Sequence, residues 1–178
     1  VIVDEAYIDF GGESALKLID EYDNLLVVRT FSKSRSMAGL RIGCAIGNAE
    51  LIAALNDVKY SYNSYTMNMA AIELGTAVLA DKDYFNETVA KIIATRENAK
   101  KRLAELGFTF PDSKTNFIFA KPSKITAKEL FEQLKKRNIY VRYFNAPRVN
   151  EHLRITIGTD EEMERFYQAV KEIRKDCR

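Results

Sequence analysis

The chain is poor in several residue types, and each scarcity removes a class of explanation. Three prolines in 178 residues, against 47% apolar and 29% charged residues, are those of an ordinary globular composition with no low-complexity segment. The two cysteines, Cys44 and Cys177, stand too far apart for a metal or redox spacing, and a reducing cytoplasm is the expected compartment. His152 is the only histidine, and it reads as a solvated loop residue rather than a catalytic one. No apolar run approaches the length of a membrane span, so a membrane is not an expected partner. Charge is nearly balanced, 27 basic against 25 acidic residues, and the net +2 points to no particular ligand. The most basic run, KKRN at 135–138, falls at the end of an expected helix, where the dipole favours cations. Nucleic acid is therefore not an expected partner either.

What is present suffices for one good hydrophobic core, or for a domain and a half. Three short apolar runs come first: VIVDEAYI (1–8), NLLVVRTF (24–31) and LRIGCAIG (40–47). Rich in β-branched residues with little alternation, they predict strands buried on both faces of an α/β sheet. Between the first two, SALKLIDEYD predicts a helix with Ser14 as N-cap, and hence a right-handed parallel crossover. The link to the third run is short for a parallel return and predicts an antiparallel third strand. From about Asn48 the periodicity turns helical, through AELIAALNDV, MNMAAIELGTAVLA and a long YFNETVAKIIATRENAKKRLAELG stopped by Gly107. A smaller α+β pattern follows, with strands at NFIFAKP, IYVRYF and HLRITIG and capped helices at TAKELFEQLKKRN and TDEEMERFYQAVKEIRK.

The chemistry concentrates in the first fifty residues. In RTFSKSRSMAGLRIG (29–43), hydroxyls on Thr30 and Ser32 and the Arg41 guanidinium suit a phosphate dianion, because short donors fix it and arginine grips two oxygens. Gly39 and Gly43 would let the backbone bend around such a group. A lysine there, Lys33, invites covalent carbonyl chemistry if neighbouring charge and desolvation lower its pKa. On this segment alone a surface lysine in an ordinary loop is the more economical reading. Asp4 changes the balance. It sits at the carboxyl end of a presumed parallel strand, where open α/β sheets place their ligands, and Lys33 lies at the same end of the next strand.

VDEAYIDF followed by RTFSKSRSMAGLRIG resembles the cofactor site of fold-type-I, pyridoxal-phosphate-dependent aminotransferases. Within them the chain is most similar to the histidinol-phosphate aminotransferases, and YSYNSYTMN, DSKTNFIFA and LRITIGT extend the likeness along essentially the whole chain. The combination is specific, whereas each piece alone is weak. The resemblance implies that Lys33 holds the aldehyde of pyridoxal 5'-phosphate as a Schiff base and moves the substrate's α-proton. It implies that Asp4 pairs with the pyridinium nitrogen, that Tyr7 donates to the ring's phenolic oxygen, and that Thr30, Ser32 and Arg41 bind the phosphate. Arg154 would face the substrate's anionic end and Arg142 its phosphate, with Tyr62 and Asn63, in a polar aromatic loop, and Asn116 bordering the site. By spacing alone the two arginines are ordinary strand arginines at a domain surface.

The resemblance implies an α/β fold in which the chain is the C-terminal part of such an enzyme. Residues 1–80 would complete a cofactor-binding large domain, 81–107 form a long connecting helix, and 108–178 a small α+β domain. A preceding half would carry a phosphate loop, an aromatic stacked on the ring and an asparagine, and the whole would be a homodimer. The expected reaction exchanges amino and oxo groups between histidinol phosphate, or imidazole acetol phosphate, and glutamate or 2-oxoglutarate. A related aromatic aminotransferase, a threonine-phosphate decarboxylase and a non-catalytic binding domain on the same scaffold are the alternatives.

Overall fold

A computed structural model of the chain describes residues 1–176, so Cys177 lies outside the described residues. Two compact units succeed one another, Val1–Val89 and the residues from Ala90 on.

In the first unit, β1 (Ile2–Asp4) runs parallel to β2 (Leu26–Thr30), with Asp4 opposite Val28. β2 runs antiparallel to β3 (Gly43–Gly47), as the short link between them predicts, and the sheet order is β1-β2-β3. Three expectations fail here, each for a local reason. The first strand stops at Asp4 rather than Ile8, because Asp4 Oδ1 turns back to accept the Ala6 N–H at 2.9 Å and the chain continues into a 3₁₀ turn at Ile8–Phe10. The segment after Ser14 is a 3₁₀ turn over Ala15–Leu18 rather than a full helix, although Ser14 does cap it, its hydroxyl accepting from Leu16 N at 3.1 Å. The turn closes with an i→i−3 bond, Ile19 N–H donating to Leu16 O at 3.3 Å. The strands are also not buried on both faces. β1 is an edge strand, and Val1 and Ile2 are 76% and 70% exposed.

Two helices complete this unit. α1 (Ala49–Tyr62) is capped by Asn48, whose side chain accepts from Glu50 N, and α2 (Met69–Ala80) by Asn68, which accepts from Ala71 N. α2 approaches the chain just before β3 so closely that a Cβ on Gly75 would lie 2.9 Å from Ile42 Cδ1.

α3 (Lys82–Glu105) begins before the boundary between the units and ends after it. Its end is a Schellman turn: Gly107, with φ +73°, donates to Ala104 O, and Phe108 donates to Leu103 O at 3.0 Å. The second unit then follows as β4 (Phe117–Ala120), α4 (Ala127–Lys136), β5 (Arg142–Tyr143), β6 (Leu153–Thr156) and α5 (Asp160–Asp176). The sheet is antiparallel, in the order β4-β6-β5. Thr126 and Glu129 form a reciprocal capping box at α4, and Thr159 and Glu162 cap α5 in the same way. One face of the sheet, carrying Ile118, Ala120, Leu153 and Ile155, is buried with Leu103, Leu130, Leu134, Phe166 and Val170. Each such large side chain contributes about 1.5–3 kcal/mol on burial. IYVRYF supplies only two strand residues, because pairing with β6 is confined to Arg142 and Tyr143.

Candidate functional site

β1 and β2, being parallel, deliver their carboxyl ends to one side of the sheet, and the chemistry-bearing residues follow those ends. Asp4 closes β1 with its carboxylate exposed, Thr30 closes β2, and Lys33 stands exposed three residues further on. The Lys33 ammonium lies 5.5 Å from the centroid of the Tyr7 ring, so Lys33 and Tyr7 are brought together. Thr30 Oγ1 donates to Ser32 Oγ at 2.8 Å and accepts from Ser32 N at 3.1 Å, which clusters both hydroxyls at the strand end.

Arg41 lies at the C-terminal edge of a 3₁₀ turn, in the left-handed region at φ +57°, and is exposed while donating to Ala38 O at 2.8 Å. Ser36 has φ +56°. The left-handed bends of this loop thus fall on Ser36 and Arg41, and not on Gly39 or Gly43 as expected. Gly43 is needed for another reason, since a Cβ there would sit 3.0 Å from Arg29 O across the β2–β3 pair.

Several residues that support this loop carry no signal of their own in the sequence. Glu5 is 6% exposed and accepts from Ser14 Oγ, from Ala15 N and from Arg29 Nε at 2.9 Å. Burial raises the Glu5 carboxyl, but the Ala15 amide, the Ser14 hydroxyl and Arg29 outweigh it and hold the group below its ordinary range. The ion pair ties the end of β1 to β2. Ser34, 7% exposed, donates to Asp9 Oδ2 at 2.5 Å. Arg35 donates to Val78 O at 3.2 Å near the end of α2, and its guanidinium lies 4.1 Å from the Phe85 ring centroid. Each has at least one partner 24 or more residues away, beyond the reach of any local pattern.

Tyr62 is not in a loop as expected, since α1 extends through it, whereas Asn63, the C-cap, is extended at the start of the loop and donates its N–H to Lys59 O at 2.8 Å. Tyr62 is nonetheless 92% exposed. In the second unit, Arg154 on β6 stands directly opposite Arg142 on β5 and Phe119 on β4. The Arg154 guanidinium lies 5.4 Å from the Phe117 ring centroid and that of Arg142 lies 5.3 Å from Phe144. Asn116 precedes β4 and accepts Ile157 N–H at 2.9 Å through its backbone carbonyl. The neighbouring Thr115 carbonyl accepts from Arg96, a guanidinium only 4% exposed. His152 is not a solvated loop residue. It stacks on Phe119 with centroids 4.6 Å apart, and its Nδ1 is buried without a hydrogen-bond partner. No helix among the described residues is long and apolar enough to cross a membrane.

Comparison with known proteins agrees with this arrangement. The chain is 54% identical over 177 residues to a histidinol-phosphate aminotransferase of Brachyspira hyodysenteriae, covering 99% of this chain and 50% of that protein. It is 54% identical over 172 residues to the enzyme of the same name from Clostridium acetobutylicum, covering 97% and 49%. The chain thus spans about half the length of the curated relatives it matches. Its fold matches the crystal structure of the Sinorhizobium meliloti histidinol-phosphate aminotransferase in complex with pyridoxal-5'-phosphate, with a TM-score of 0.86 and 27% identity over 99% of this chain and 49% of that one. The α/β architecture is therefore that of the fold-type-I aminotransferases, about half of whose length it covers. The model of the aminotransferase class I and II family matches residues 1–170, from the strand that carries Asp4 into the final helix. With that family's pattern running through both units, the chain belongs to the class I and II aminotransferases.

Proposed function

We propose that the chain forms part of a pyridoxal-phosphate-dependent aminotransferase acting on histidinol phosphate, with 2-oxoglutarate as amino acceptor, in histidine biosynthesis. The observation that carries the reading is the pair of parallel strands presenting Asp4 and Lys33 at one end of the sheet, with the Lys33 amine 5.5 Å from the Tyr7 ring. Identity of 51–54% to relatives named histidinol-phosphate aminotransferase supports the substrate. We further propose a homodimer, located in the cytoplasm.

The donor set fits pyridoxal phosphate. Two clustered hydroxyls and an exposed guanidinium suit its phosphate, a carboxylate its ring nitrogen, a phenol its ring oxygen and an amine its aldehyde. When bound, such a cofactor supplies an electron sink for the carbanion left at the substrate's α-carbon. Lys33 would hold the cofactor covalently in the resting state and, with its Nζ released as a free amine, would carry the α-proton. Asp4 keeps a proton on the ring nitrogen by its fixed negative charge. Thr30, Ser32 and Arg41 anchor the phosphate and Tyr7 orients the ring. Arg154 and Arg142 offer planar forks to the anionic ends of the substrate, with Tyr62, Asn63 and Asn116 bordering it.

A transamination assay of the full-length protein tests the reading, comparing histidinol phosphate with tyrosine and phenylalanine as donors to 2-oxoglutarate. A higher kcat/KM with histidinol phosphate is expected. Preference for either aromatic amino acid would overturn the substrate assignment, and no turnover with any donor would overturn the activity.

A further inference from the structure

We propose that Asp9 and Ser34 are positioning residues that hold the Lys33 amine over the Tyr7 ring. The inference deepens the assignment of Lys33 as the reacting amine and rests on it.

The loop after β2 is pinned on both sides of Lys33 and left free at Lys33 itself. On the N-terminal side, Ser32 N donates to Thr30 Oγ1 at 3.1 Å. On the C-terminal side, the buried Ser34 donates to Asp9 Oδ2, which belongs to the 3₁₀ turn that follows Tyr7. Lys33 is exposed between these two anchors. The Lys33 carbonyl accepts Ser36 N–H at 3.1 Å and the Phe31 carbonyl accepts Met37 N–H at 3.0 Å, so the backbone closes into a tight turn.

The contact joins two segments that are 25 residues apart in sequence. One bears Tyr7 and the other Lys33, and the hydrogen bond lies two residues beyond the first and one beyond the second. A hydrogen bond to a carboxylate is among the stronger kinds, and a buried hydroxyl deprived of its acceptor is costly. Rotation of the loop about this point is therefore restrained, which fixes the backbone from which the Lys33 amine reaches over the Tyr7 ring. This is the preorganisation that a nucleophilic amine needs.

The test uses the full chain without cofactor and reads geometry by NMR. In the wild type, the Lys33 Hε resonance should be displaced upfield by the Tyr7 ring current, as that of Lys59 is by Tyr60, and Tyr7→Leu should abolish the displacement at Lys33 alone. Ser34→Ala and Asp9→Ala should each collapse it, and each should cost about tenfold in hydrogen-exchange protection at the Ser36 and Met37 amides while core amides keep theirs. The double variant should be no worse than either single one, and Ser34→Thr should restore the wild-type shift. An unchanged Lys33 resonance in both alanine variants, or strictly additive losses in the double variant, would overturn the proposal. Should Ser34→Ala not fold, Asp9→Ala reads the same contact from its less buried end. Because no cofactor is present, these outcomes are independent of the transamination assay, whose failure would remove the role of Lys33 and leave the geometry standing.

Discussion

Arg142 and Arg154 stand directly opposite each other across β5 and β6, and among the described residues neither guanidinium is paired with a carboxylate. Like charges directly opposite on a sheet cost about 0.2–1 kcal/mol. Aromatic rings beside both guanidinia relieve part of that cost, but an anion between the two forks would relieve more.

Arg154→Lys should therefore raise the KM of the full-length enzyme for its phosphorylated substrate by about tenfold to a hundredfold, because an ammonium cannot reproduce the planar fork. Cofactor absorbance should be unchanged. Kinetics equal to wild type for both substrates would refute the role.

Lys33→Ala should abolish turnover and covalent retention of the cofactor, which intact-mass analysis after borohydride reduction reads directly. Lys33 is exposed, so the melting temperature should stay near that of the wild type. Turnover near the wild-type rate would show that another amine does the work.

Asp4→Asn keeps an oxygen for the Ala6 N–H and removes only the charge. Turnover should fall far more than cofactor content, since the ring nitrogen loses the anion that keeps it protonated. Equal losses in both would make Asp4 a binding residue and nothing more.

The Glu5 carboxyl, held below the usual carboxylate range, ties stability to acid. A depressed folded-state pKa contributes stability that is fully present above the unfolded value, near 4.5, and is lost as pH falls through the folded value. Glu5→Gln should flatten that acid limb in urea titrations between neutral pH and pH 3. It should also destabilise the chain at neutral pH by about 1–3 kcal/mol, because the buried position 5 loses its charge-assisted bonds to Arg29, Ser14 and Ala15. An unchanged acid limb in the variant would assign the loss to other carboxylates.

What was legible in the sequence is what depends on neighbours in the chain. Thr126 with Glu129, and Gly107 after a helical run, announce their helix ends because capping is settled within four residues. The strand directions follow from the lengths of the links between the strands. The apolar run 1–8 overstated β1, although Asp4 read as its carboxyl end. Glu5, next after that strand, takes its partners from Ser14, Ala15 and Arg29, the last of them 24 residues away. Tyr62 looked like loop because Ser61, Asn63 and Ser64 are poor helix formers, yet α1 continues through it. His152 looked solvated because Phe119, on whose ring it stacks, is 33 positions away and only pairing of β4 with β6 brings the two together. The candidate site divides in the same way: its motif residues are contiguous in sequence, whereas Asp9, Ser34 and Arg35 act only through distant contacts.

Three of the left-handed positions among the described residues are filled in three ways, Gly11, Ser36 and Arg148 being others. Gly107 ends α3, Asn138 follows α4 with φ +57°, and Arg41 precedes β3 with the same φ. Glycine carries no steric penalty in that region and asparagine only a reduced one, whereas an arginine gives up about 1–2 kcal/mol. At the two helix ends stand the two residues that bear this conformation at least cost. Arg41 is not one of them, and neither are Ser36 at φ +56° and Arg148 at φ +71°, so a strained backbone does not by itself mark a side chain for chemistry. Under the phosphate role proposed for Arg41, Arg41→Gly would relax the backbone and still weaken cofactor retention, and that opposition separates chemistry from architecture at this position.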